Sequence, residues 1–179
     1  FNDDGIKFTQ AALIEYLKQA DAAIVGLDKV NQKVIDACPH LKFISKYGVG
    51  LDNLDLKYCK EKEIGIGWSG GVNKLSVAEM ALGFALSLSR NLFQSSQKLK
   101  RLDWKKQGGF QISGKKIGII GVGFVGKELI RLLRPFHCKI YVNDILDQSE
   151  YYAENNLINS SKEEIYANCD IISVHTPLT

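Results

Sequence analysis

Lys116-Ile117-Gly118-Ile119-Ile120-Gly121-Val122-Gly123-Phe124-Val125-Gly126 runs a short apolar, isoleucine-rich strand directly into a G-x-G-x-x-G turn. Gly121 permits the tight exit from the strand, Gly123 lets a ligand approach the main chain, and Gly126 allows the next helix to pack against the sheet. The free N–H groups at that helix start, together with its dipole, suit an anion, and the spacing predicts the pyrophosphate of a dinucleotide. A glycine turn alone also serves close strand–helix packing, so its surroundings decide. Leu129, Ile130, Leu132 and Leu133 recur at helical spacing before Pro135. A second strand, Lys139-Ile140-Tyr141-Val142, then ends at Asn143-Asp144, and Asp144 lies 18 residues past Gly126. A carboxylate there accepts hydrogen bonds from both hydroxyls of an adenosine ribose. It also repels a 2′-phosphate, and no arginine follows it, so NAD is expected rather than NADP.

Composition sets the outer bounds. The chain has 179 residues, 45% hydrophobic and 24% charged, which suits one large globular domain or two small ones. A net charge of +3 is too small to imply nucleic acid. Lys98-Leu99-Lys100-Arg101 and Lys105-Lys106 are the only local basic concentrations, and both read as solvated helix-end charge. Cys38, Cys59, Cys138 and Cys169 stand far apart, with no C-x-x-C and no histidine at ligand spacing, so neither a metal site nor a redox pair is indicated. Reduced thiols in a cytoplasmic protein are expected. The apolar stretch from Leu75 to Leu88 is 14 residues long, short of the ~20 a membrane span needs. No membrane association is expected, and neither a signal peptide nor a lipidation motif is seen.

Two α/β segments appear on either side of a long helix. The first reads as a helix from Thr9 to Ala20 capped by Thr9, a strand at Ala22 to Gly26, and a helix from Asn31 to Ala37. A strand at Leu41 to Ser45, a helix from Leu56 to Glu63 and a short strand at Ile64 to Gly67 complete it. Strand–helix alternation predicts parallel sheets with ligand loops at one edge. The long helix is expected to open at Ser76-Val77-Ala78-Glu79, whose S-x-x-E spacing is that of a capping box. Its first half is apolar on nearly every face, which predicts enclosure between domains or at a subunit contact. Past Arg90 it turns amphipathic through Leu92, Phe93 and Leu99, and a link from Trp104 to Gly114 carries Gly108-Gly109. The second α/β segment ends on a strand, Ile171 to Val174, and the loop His175-Thr176-Pro177-Leu178-Thr179. A full dinucleotide-binding domain of this kind needs about six strands, so a piece of a longer protein is expected.

Taken in order, four motifs resemble the D-isomer-specific 2-hydroxyacid dehydrogenases, the family of phosphoglycerate, glycerate and glyoxylate/hydroxypyruvate enzymes. They are Gly48-Val49-Gly50-Leu51-Asp52-Asn53; Gly71-Val72-Asn73 with Ser76 to Glu79; Gly114 to Gly126 with Asp144; and Cys169 to Thr179. The resemblance implies an α/β fold with parallel sheets: a partial flavodoxin-like substrate-binding domain (1–72), a linking helix (73–113) and the first half of a Rossmann NAD-binding domain (114–179). It implies a small 2-hydroxy or 2-keto acid and NAD bound in the cleft between domains. By the same resemblance the Val49 and Gly50 amides hold the substrate carboxylate, and Lys46 adds a charge-assisted contact. Gly121, Gly123, Phe124, Val125 and Gly126 cradle the pyrophosphate, Asp144 holds the ribose, and Thr176 and Pro177 border the adenosine end.

In such enzymes a hydride passes between the nicotinamide and C2 of the acid while a histidine, oriented by a glutamate, moves the proton and an arginine grips the carboxylate. All three family positions fall beyond residue 179, so no catalytic residue is expected here. His175 ends a cofactor-side strand in similar proteins and is not the catalytic one. Ser69-Gly70 stands where Thr-Pro is usual, Met80-Ala81 where His-Thr is common, and Phe124 where arginine is frequent. Two alternatives share the fold: an NAD-sensing co-repressor-like scaffold, and a related formate or phosphonate dehydrogenase. The resemblance also implies a homodimer.

Overall fold

The computed structural model describes every residue except Phe1, Asp3, Asp4, Ile6, Lys106, Gln107, Leu178 and Thr179. Half of the Lys105-Lys106 pair and the last two residues of the His175 loop therefore lie outside the described residues. The chain divides into two compact units, one reaching Val72 and the other running from Asn73 to Pro177.

The first unit is a parallel sheet of β1 (Ala22–Val25), β2 (Phe43–Lys46) and β3 (Gly65–Gly67), in that order. Its helices are α1 (Gln10–Leu17), α2 (Gln32–Ala37) and α3 (Leu56–Glu61). Each begins at a side-chain cap, with Thr9, Asn31 and Asp55 accepting from the amides of Ala12, Val34 and Tyr58. β2 starts two residues later than the apolar run suggests, because Leu41 still belongs to the turn and donates to Cys38. Phe43 lies across the two glycines of β3: a Cβ on Gly65 would come within 2.6 Å of its ring. Leu13, Val30, Val34, Ile44 and Cys59 form the core.

The second unit opens with α4 (Lys74–Ser89) and α5 (Leu92–Lys100). It continues through β4 (Lys116–Ile120), α6 (Phe124–Leu133), a 3-10 turn (Arg134–Phe136) and β5 (Lys139–Asn143). α7 (Ser149–Glu154), β6 (Ile158–Asn159), α8 (Lys162–Asn168) and β7 (Ile171–Val174) follow. The strands are parallel in the order β6-β5-β4-β7. From β4 the chain builds outward through β5 to β6, then crosses back to place β7 on the other side. That reversal opens a crevice past the carboxyl ends of β4 and β7, where ligands of doubly wound sheets bind. Ile119, Val122, Leu129, Leu133 and Val142 fill the core beneath it, and α4 packs on α6.

Two expectations change. Ser76 does not cap α4: the helix begins two residues earlier, Asn73 at its N-cap makes no side-chain bond, and the Ser76 hydroxyl donates to the Asn73 carbonyl. The capping box forms at α8 instead, where Ser161 accepts from the Glu164 amide and Glu164 from the Ser161 amide. The long helix is two helices, because Asn91 adopts a left-handed conformation (φ 51°) that asparagine tolerates and a helix does not. Between Asp144 and Cys169, where sequence reading sets no element in advance, lie α7, β6 and α8. Among the described residues no helix is long and apolar enough to cross a membrane.

Candidate functional site

Two of the three motif glycines are required by close neighbours and the third is not. Gly121 has φ +93°, and a Cβ there would lie 2.6 Å from the His175 carbonyl oxygen. A Cβ on Gly126 would lie 2.2 Å from the Gly121 carbonyl oxygen, so α6 touches the strand end through bare backbone. At Gly123 the added Cβ would meet nothing within 4 Å. Close packing explains the outer two glycines, whereas the middle one leaves the main chain open to a ligand.

Gly123 is also the N-cap of α6 and brings no side-chain hydrogen bond to that helix. The first-turn amides of Phe124, Val125 and Gly126 thus carry the positive end of a ten-residue helix without a protein cap. Phe124 is exposed and adds no charge of its own. These residues fit the diphosphate of a dinucleotide, because open space, unpaired donors and the helix dipole coincide.

Asp144, at the carboxyl end of β5, is tied to the loop itself. One of its oxygens accepts the Val122 N–H at 2.6 Å and the other accepts the Leu146 N–H at 2.9 Å. A carboxylate offers about four acceptor positions, so capacity remains for a ribose diol. Thr176 and Pro177 are exposed beyond β7, and the Thr176 methyl sits against the Gly121 turn. His175 is partly buried, with Nε2 2.9 Å from the Ser173 hydroxyl, and burial holds its pKa below the ordinary value. That desolvation favours the neutral imidazole. Burial likewise pushes all four thiols up, which keeps them protonated and poor nucleophiles. Among the described residues no group of His, Cys, Asp and Glu has the grouping to hold a metal ion.

In the first unit, Lys46 ends β2 and Gly48-Val49-Gly50 follows, with Gly48 at φ +115°. The Lys46 ammonium donates to the Gly26 carbonyl, which Asn53 also engages while holding the Asp28 carbonyl at 2.7 Å. The loops after β1 and β2 are thereby joined at the carboxyl edge of the sheet. The Val49 carbonyl accepts the Trp68 indole N–H at 2.9 Å. In a trans peptide the carbonyl and the following N–H point opposite ways, so this bond turns the Gly50 amide away from the indole.

Two side chains that sequence reading does not single out therefore shape the candidate site. Trp68 stands just past β3 and holds the Val49-Gly50 peptide. Gln148, ahead of α7, donates to the Val122 carbonyl at 3.2 Å. Neither has a local signal, since each bond spans a loop closed only by the tertiary fold.

Comparison with known proteins bears on the same residues. Residues 82–179 match the family described as D-isomer specific 2-hydroxyacid dehydrogenase, NAD binding domain. A D-3-phosphoglycerate dehydrogenase of Methanocaldococcus jannaschii is 32% identical over 175 residues, covering 96% of this chain and 33% of that protein. A hydroxypyruvate reductase of Thermotoga maritima is 31% identical over 170 residues, covering 93% of this chain and 55% of that protein. Among solved structures, an Aquifex aeolicus D-lactate dehydrogenase complexed with NAD and lactic acid matches with a TM-score of 0.85 and 28% identity. That match covers 93% of this chain and 51% of the other. The chain thus spans between a third and about half the length of these relatives.

Proposed function

The chain belongs to the D-isomer-specific 2-hydroxyacid dehydrogenases, and from that premise we propose that it carries the NAD cradle and the carboxylate loop of an oxidoreductase acting on small D-2-hydroxy or 2-keto acids. Residues 1–72 form the substrate-binding domain, 114–179 the first half of the NAD-binding domain, and 73–113 the link. The observation that carries the reading is the open space over Gly123, set between two glycines that close contacts and backbone conformation explain.

The amides of Gly123, Phe124, Val125 and Gly126 bind the diphosphate, with Gly121 shaping the turn. Asp144 accepts from the adenosine ribose hydroxyls through the lone pairs that Val122 and Leu146 leave free, and Thr176 and Pro177 border the adenosine. NAD, when bound, supplies hydride chemistry at its nicotinamide. The Val49 and Gly50 amides orient the substrate carboxylate, and Lys46 keeps two ammonium hydrogens beyond the one on Gly26 for an acidic substrate. By family resemblance the catalytic arginine, glutamate and histidine belong to a part of these enzymes that residues 1–179 do not cover.

The protein is proposed to be cytoplasmic and a homodimer. Met80, Phe84 and Leu88, at i, i+4 and i+8, leave an exposed apolar stripe along α4, a surface that association removes from water. Calorimetric titration of the chain with NAD and NADP, alongside Asp144→Ala, tests the cofactor assignment. NAD should bind more tightly and the variant should lose that affinity. Tighter NADP binding, or indifference to the substitution, overturns it.

A further inference from the structure

Val122 is clamped from both sides. Its N–H goes to Asp144 and its carbonyl accepts the Gln148 side-chain amide. Gly121 and Gly123 flank it, so the backbone on either side lacks the steric confinement of a Cβ and has the most conformational freedom to lose. No peptide bond among the described residues is cis. The Val122 carbonyl and the Gly123 N–H belong to one peptide plane and point in opposite directions. Whatever holds that carbonyl inward aims the Gly123 N–H outward.

Gln148 is placed for this task and no other local one. It is the N-cap residue of α7, yet its side chain does not cap that helix. Its amide reaches instead to a residue 26 positions earlier. Its backbone is anchored, because the Gln148 carbonyl accepts the amide of Tyr152, whose ring is buried in the same apolar cluster as Val122. The Val122 carbonyl only accepts, so the NH2 group of Gln148 must face it.

We propose that Gln148 is a positioning residue for the diphosphate: by holding the Val122 carbonyl it fixes the direction of the Gly123 amide that meets the anion. This rests on the proposed NAD reading and adds a residue to that site. The bond works with the Asp144 bond as a pair, one on each peptide flanking Val122. Losing the Gln148 bond frees the 122–123 plane to rotate while the Asp144 bond still holds the 121–122 plane.

Gln148→Met keeps the side-chain length and removes the donor. Titrating the chain with ADP-ribose and, by NMR chemical shifts, with adenosine separates the roles. ADP-ribose affinity should fall by about tenfold, the scale of one hydrogen bond to a charged group, while adenosine affinity stays within a factor of two. Gln148→Glu, equal in size but unable to donate when ionised, should lose at least as much. Equal losses for both ligands, or no loss for ADP-ribose, overturn the proposal. If the unsubstituted chain binds neither NAD nor ADP-ribose, the NAD reading itself fails and this proposal with it.

Discussion

Adding one methyl group at Gly123 and one at Gly126 should affect stability and cofactor affinity in opposite proportion. At Gly123 the methyl meets no atom within 4 Å, and φ −80° with ψ −153° is extended backbone open to any L residue. Two small terms act on stability there. Stiffening the unfolded chain contributes about 0.4–1 kcal/mol, and alanine is a poorer N-cap than glycine by roughly 0.5–1 kcal/mol. They offset, and Gly123→Ala should melt within about 4 °C of the parent. The same methyl stands where a phosphate must approach. Losing one charge-assisted bond to the diphosphate, about 1.5–3 kcal/mol, weakens NAD binding by about 10- to 100-fold.

At Gly126 the methyl comes 2.2 Å from the Gly121 carbonyl oxygen and 3.5 Å from Ile119 Cγ2. The close atom is backbone, so α6 must move off the strand end, and overpacking of this kind costs about 1–3 kcal/mol. Gly126→Ala should therefore lower the melting temperature by several degrees, with affinity falling as a consequence. Scanning calorimetry paired with NAD titration reads both quantities. If Gly123→Ala bound NAD like the parent, or unfolded as readily as Gly126→Ala, the division between packing and access glycines would be wrong.

Other substitutions probe the supporting structure. A Cβ on Gly118 would lie 2.4 Å from Cγ2 of the fully buried Ile165 and 3.2 Å from the Cys169 sulfur, so Gly118→Ala should cost about 1–3 kcal/mol, read as a lower urea midpoint. Ser161→Ala removes the N-cap of α8 and should cost about 1 kcal/mol, whereas Ser76→Ala, inside α4, should cost much less by the same assay. Burial lowers the His175 pKa, so unfolding raises it and the unfolded chain binds more protons. The stability His175 contributes is present above about pH 6.5 and is lost as pH falls through the folded-state value; His175→Gln should flatten that part of a urea-midpoint-against-pH curve. Phe84→Lys, on the exposed stripe of α4, should shift sedimentation toward monomer at fixed concentration, and an unchanged sedimentation coefficient would count against a dimer through that face.

What could be read in advance tracks how local each constraint is. The Gly121–Gly126 turn was legible because the positive φ of Gly121 and the contact of Gly126 with the Gly121 carbonyl are both set within a few residues of the strand end. The cap at Thr9 was legible for the same reason: a polar side chain meets an amide three residues on. S-x-x-E was ambiguous because it occurs three times, at Ser76, Ser160 and Ser161, and the motif says nothing about whether the preceding residues can join the helix. Lys74 and Leu75 are good helix formers and extend α4 past Ser76. Ser161 follows β6, whose extended backbone ends the question. β6 itself pairs at only Ile158 and Asn159, too short to show alternation.

The candidate site divides along the same line. Its main-chain donors follow from glycine spacing, but the groups that hold those donors still do not. Trp68 reaches Val49 across 19 residues, Asp144 reaches Val122 across 22, and Gln148 reaches the same residue across 26. Each bond exists because parallel strands bring their carboxyl ends to one edge. β4 and β5 are in register from Lys116 opposite Lys139 to Ile120 opposite Asn143, which sets Asp144 beside the Gly121 turn. A one-residue slip would turn the apolar faces of Ile140 and Val142 to the wrong side, so the core that fixes the register also fixes the carboxylate. Binding geometry here is thus a consequence of packing, and the residues that tune it lie in the turns just past the strands.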